Sequence, residues 1–150
     1  MALLAGTLYD PAAAVSKSTT ALLAMTAIDT TNLRLTFGVP VTGKVLVRLR
    51  GTLHGATTFP QITLGVLEGS TVKGRVTPAG LVNGNLAATT FLTVEALFPV
   101  TGLTPSATLV WDAAYGVETV VASTGLKYGG PNDTTGDNAF GGFVFEIWAA

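Results

Sequence analysis

Residues Leu33 to Leu49 read L-R-L-T-F-G-V-P-V-T-G-K-V-L-V-R-L, and this stretch decides the fold. Leu33, Leu35, Phe37 and Val39 alternate with Arg34, Thr36 and Gly38, the period of a half-buried strand. Pro40-Val41-Thr42-Gly43 supplies turn residues. Val45, Val47 and Leu49 then alternate with Leu46, Arg48 and Arg50, in a strand that can run on to Leu53.

The same grammar extends downstream. Ile62, Leu64 and Val66 oppose Thr63 and Gly65, and Glu68-Gly69-Ser70 turns the chain into a strand over 72–77. A Gly- and Asn-bearing loop covers 78–88, a strand covers 91–100, and Thr101–Pro105 is a further turn. Leu109, Trp111, Ala113 and Tyr115 share one strand face, a strand over 117–123 follows, and residues 128–138 form the longest polar loop. Phe143, Phe145 and Ile147 alternate with Val144, Glu146 and Trp148 in the last strand. Eight or nine short strands at this spacing, with no convincing helix after residue 20, predict an all-β antiparallel sandwich or jelly roll.

Composition agrees. The 150 residues include 24 Thr, 20 Ala and 18 Gly, but only five Ser. Threonine is β-branched and keeps an outward strand face wet without charge. Charged residues are 11% of the chain, against roughly 25% in an ordinary soluble domain. Such a surface favours assembly. No apolar run approaches the roughly 20 residues of a membrane helix. The chain has no cysteine, which excludes disulfides, thiolate metal sites and a thiol nucleophile.

The N-terminus lacks the basic region of a secretion signal, so synthesis without export is expected. Residues 1–19 read as an arm or leader outside the sandwich, and 20–150 as one jelly-roll domain. Two strands look apolar on both faces, which calls for a second cover. Phe91, Leu92, Val94, Phe98, Phe143, Phe145 and Trp148 are therefore candidate oligomer-interface residues.

Net charge is −1, which argues against nucleic acid as a partner. The signs are nevertheless segregated. Residues 1–75 hold seven basic and three acidic residues, and residues 76–150 hold one and six. This is either a basic face meeting an acidic partner surface or a solvated outward face.

Catalytic chemistry finds little footing. His54 is the lone histidine, and no Gly-x-Ser-x-Gly elbow or phosphate-binding loop accompanies it. Glu95, Asp112, Glu118 and Glu146 are scattered strand acids with no spacing that pairs them for glycoside hydrolysis. Asp133, Asp137 and Asn138 are oxygen ligands of the type calcium takes, but they miss the EF-hand spacing. The expectation is no enzyme and no cofactor. Tyr128, Asn132, Asp133 and Asp137 remain as a candidate binding loop, since sugar faces stack on tyrosine.

Thr31–Leu49, the hairpin Gly65-Val66-Leu67-Glu68-Gly69, the turn Val100–Pro105 and the G-P-N-D loop before an aromatic final strand resemble small jelly-roll structural proteins of tailed phages. These in turn are similar to trimeric tumour-necrosis-factor-like and complement-globular-head jelly rolls. The pattern usually places Gly where this chain has Ser106. The resemblance covers about residues 31–148 and implies a homotrimer on the outside of a virion, made in the host cytoplasm. There it would decorate the capsid against the major capsid protein or another virion protein, held by its N-terminal arm. The alternative expectation is a receptor- or carbohydrate-binding module of a tail or fibre.

Overall fold

A computed structural model describes residues 1–18, 25–54, 61–76, 91–117, 125–130 and 139–150, without the side chains of Ser18 and Phe91. The described residues form eleven strands and no helix, in two antiparallel sheets. The six-stranded sheet contains β1 (Leu3–Tyr9), β2 (Val15–Ser18), β5 (Val45–His54), β8 (Phe91–Val100), β10 (Gly125–Tyr128) and β11 (Phe143–Ala149). The five-stranded sheet contains β3 (Thr26–Ala27), β4 (Arg34–Gly38), β6 (Ile62–Glu68), β7 (Thr71–Val76) and β9 (Thr108–Val117).

The pairing is nested. β6 and β7 form a hairpin, with Leu64 opposite Val76. Outside it β5 pairs β8, with Val45 opposite Val100. β4 then pairs β9, with Arg34 opposite Asp112, and β1 pairs β11, with Ala5 opposite Ile147. This is one long antiparallel ribbon, and rolling it up sets β5 beside β11 and β6 beside β9. The fold is a jelly-roll sandwich, as the strand spacing predicts. Rolling also explains the segregated charge. The ribbon lays first-half strands on second-half strands, so Arg34 meets Asp112, and Arg48 and Arg50 meet Glu95.

Inward residues of both sheets make one core. Val45, Val47, Leu49 and Leu53 of β5 are fully buried, with Phe143, Phe145 and Ile147 beside them. Leu35 and Phe37 face Trp111, whose ring meets Phe37 edge-on at 4.8 Å between centroids. The indole N–H of Trp111 donates to Glu68 Oε2 at 2.9 Å, satisfying its polar atom at the sheet edge. The turn at Pro40–Gly43 closes by a 2.9 Å bond from Gly43 N to Pro40 O, with Gly43 at φ 63°. A Cβ there would also strike Leu103 O, so the turn needs glycine twice over. Ser106 holds the left-handed conformation, φ 64°.

One expectation is corrected. Residues 1–18 do not lie outside the sandwich. β1 pairs β11 along its length, β2 pairs β10, and Leu4, Ala5, Tyr9 and Val15 pack on the core. The physical reason is the length of β5. Its ten residues are matched along one edge by β8, but along the other β11 ends at Arg50 and β10 takes over at Thr52. β1 and β2 then complete the outer edges of β11 and β10. Residues 118–124, expected to hold a strand over 117–123, lie outside the described residues.

Candidate functional site

The outward face of the six-stranded sheet is read from its registers, since partners in an antiparallel pair point to the same side. Crossing β8, β5, β11 and β1, the first level is Pro99, Leu46, Trp148 and Leu3. The second is Leu97, Arg48, Glu146 and Gly6, and the third is Glu95, Arg50, Val144 and Leu8. Leu3, Leu8 and Leu97 are exposed by 51%, 66% and 55%. An entirely apolar level thus borders two mixed ones, with large side chains open to solvent.

A charge network ties the middle together. Arg48 Nη2 lies 3.3 Å from Glu95 Oε2, and its Nη1 lies 3.4 Å from Glu146 Oε2. Glu146 Oε2 also accepts from the Trp148 indole N–H at 3.0 Å. The hydrogen bond to Glu95 raises the Arg48 pKa above its ordinary value, so Arg48 keeps its charge. Arg50 is held more loosely, with its Nε 4.0 Å from Glu95.

Two depressions sit side by side near the β1 edge. One, about 340 Å³, lies among Leu8, Arg50, Thr52, Thr93, Phe140 and Val144. The other, about 260 Å³, lies over Gly6 between Leu3 and Leu8, with Val144 and Glu146 on its far side.

The opposite face differs. On the five-stranded sheet the outward Thr63, Gly65 and Leu67 of β6 and Asp112 and Ala114 of β9 are all buried within this one chain. The Met25 methyl lies close over Gly65. Asp112, 3% exposed, is held by Arg34 in a bidentate pair at 2.7 and 2.8 Å. That pair is the geometry of a structural anchor.

The expected interface residues are redistributed. Val94, Phe98, Phe143 and Phe145 are buried in the chain's own core and leave nothing for a partner. Leu92 packs on that core too, and the Phe91 side chain lies outside the described residues. Of the members whose side chains are described, Trp148 alone stands on the outward face. The missed members are Leu3, Gly6, Leu8, Leu46, Leu97, Pro99 and Val144. The signal for part of them was present, because Thr93 and Glu95 mark the outward phase of β8 and Glu146 marks that of β11.

Tyr128 is likewise corrected. It lies in β10, fully buried, with its ring 5.8 Å from Tyr9 and 6.0 Å from Phe143. Burial pushes its phenol pKa up, and it offers no surface for sugar stacking. Asn132, Asp133 and Asp137, with Asn138, lie outside the described residues, as does Glu118. His54 is buried against Phe140, with ring centroids 5.2 Å apart, and the Lys127 ammonium sits 5.6 Å from the same Phe140 ring. Among the described residues no three His, Asp or Glu side chains gather to hold a metal ion. The chain matches no protein-family model and no curated protein sequence.

Proposed function

We propose that this chain is a non-enzymatic structural protein of a phage virion, a jelly roll that assembles as a homotrimer and decorates the outside of the particle. The observation that carries the assembly reading is the outward face of the six-stranded sheet, where Leu3, Leu8 and Leu97 stand exposed beside the half-buried Leu46, Val144 and Trp148. Exposed apolar groups gathered on one sheet face mark contact with another chain. The virion setting rests on the turn and strand motifs of residues 31–148, and the shell or tail component beneath would be the second partner. Since β1 and β2 belong to the sheet, attachment falls to surfaces other than a free N-terminal arm. The burial of Tyr128 removes the residue on which a sugar-binding reading leaned.

The test is the native mass of the purified chain at micromolar concentration, followed by binding to undecorated phage capsids. A trimer that Leu97→Asp converts to folded monomer supports the reading. A wild-type monomer overturns the assembly, and a trimer that binds no capsid or tail component overturns the virion role.

A further inference from the structure

We infer that the notch over Gly6 is a socket for Leu97 of a neighbouring copy, so that copies join head to tail across this sheet face. The inference rests on the assembly reading above and names its contact.

Gly6 is the starting point. A glycine inside a strand weakens it relative to alanine, and is kept where a turn, a tight packing, a bulge or an approaching group requires it. The bulge of β1 falls between Leu3 and Ala5, and Gly6 pairs Glu146 in register. Neither a turn nor a tight packing applies at Gly6 within this chain. Gly6 does not have a positive φ, and a Cβ there would meet Glu146 Cγ and a Leu3 methyl at 3.4 Å, an ordinary contact. Gly65 and Gly74, by contrast, have backbone or ring atoms within 2.5–2.8 Å of such a Cβ. The missing side chain at Gly6 instead leaves the 260 Å³ notch, with Leu3, Leu8 and Val144 as apolar walls.

The registers supply the occupant. Leu97 opposes Arg48, Arg48 opposes Glu146, and Glu146 opposes Gly6. Protruding leucine and notch therefore stand at one level, on opposite edges of the four-strand array. Rotation about an axis parallel to the strands preserves level, so it carries Leu97 of one copy to Gly6 of the next without sliding. The neighbouring levels then meet in the same order. Pro99 reaches the apolar level of Leu3 and Trp148. Glu95 reaches Leu8, at the rim of the 340 Å³ depression that Arg50 lines from two strands away. A two-fold contact using the same residues would press β5 onto the β11 of the other copy and strip water from the Arg48–Glu95–Glu146 network, a costly arrangement. Head-to-tail contacts keep to the edges and close into a ring.

The chain has no cysteine, so paired cysteines report the contact without background. A Gly6→Cys/Leu97→Cys chain, mildly oxidised, is expected to give covalent trimers that revert on reduction. A trimer by native mass with no disulfide, or a covalent product ending at dimer, overturns the head-to-tail contact while leaving assembly through this face intact. A monomer by native mass overturns both. Gly6→Val checks the socket without disulfide chemistry. It is expected to raise the concentration for half-dissociation at least tenfold while the monomer's melting midpoint stays or rises. Unchanged assembly overturns the socket.

Discussion

On the five-stranded sheet the outward Thr63, Gly65, Leu67, Asp112 and Ala114 are sealed by the same chain, while the outward Val110, towards one end of β9, stands 43% exposed; on the six-stranded sheet the outward Leu3, Leu8 and Leu97 are more than half exposed. Both faces carry arginine–carboxylate pairs and strand glycines, yet the same residue types do different work. Under its cover the first face uses glycine to admit a close neighbour and a bidentate ion pair to satisfy a buried acid. The open face uses glycine to leave a hole, and its ion pairs stay wet. Burial within the chain turns a sheet face into structure, and exposure leaves it available to a partner.

Substituting matched residues on the two faces tests that difference. The largest contrast is expected for leucine to aspartate. Leu67→Asp buries an unpaired charge and should cost about 4 kcal/mol or more, whereas Leu97→Asp should change monomer stability by only about 0.5 kcal/mol. Urea midpoints of the two variants, compared at a concentration where the chain is monomeric, check this. Equal losses would mean that the exposed face is also part of the core.

Glycine to valine comes next. Gly65→Val forces methyls against Gly74 O and Met25 and should cost about 2 kcal/mol or more, while Gly6→Val should leave the monomer within about 0.5 kcal/mol or slightly stabilise it. Thermal melts distinguish the two, and a destabilised Gly6→Val would place the need for glycine inside the chain.

The ion pairs give a smaller contrast. Asp112→Ala removes two charge-assisted hydrogen bonds from a buried acid and should cost about 2 kcal/mol; Glu95→Ala, at a solvated pair, about 0.5 kcal/mol or less. The Asp112 effect should persist in 1 M salt, and a loss that disappears with salt would make that pair a surface feature. Smallest of all, Ser106→Gly relieves a left-handed serine and should gain about 1 kcal/mol on either denaturant or thermal unfolding. A loss would show that the Ser106 hydroxyl contributes more than its backbone strain costs.

How far the sequence could be read follows from the same physics. Period two is a local property, so strands over 33–39, 45–53, 62–66 and 91–100 were legible, with turns at Pro40–Gly43 and Thr101–Pro105. The phase of each strand was legible in principle. In β8 and β11, however, apolar residues occupy both phases, and the large aromatics Phe98, Phe143 and Phe145 drew attention to the inward one. Tyr128 looked like part of a loop because Gly129, Gly130 and Pro131 follow it, though Gly125–Tyr128 is held by strands on both sides.

The sequence by itself determined an all-β chain, its strand phases and the segregation of charge, because alternation and turn chemistry are written residue by residue. Only the tertiary structure decided that residues 3–9 and 15–18 join the sheet, which segregated charges meet, and which of two apolar faces stays open. Those outcomes depend on contacts between residues up to about 140 positions apart, such as Ala5 with Ile147. A strand's own pattern says which side is apolar; what lies against that side is set by the rolling of the whole ribbon.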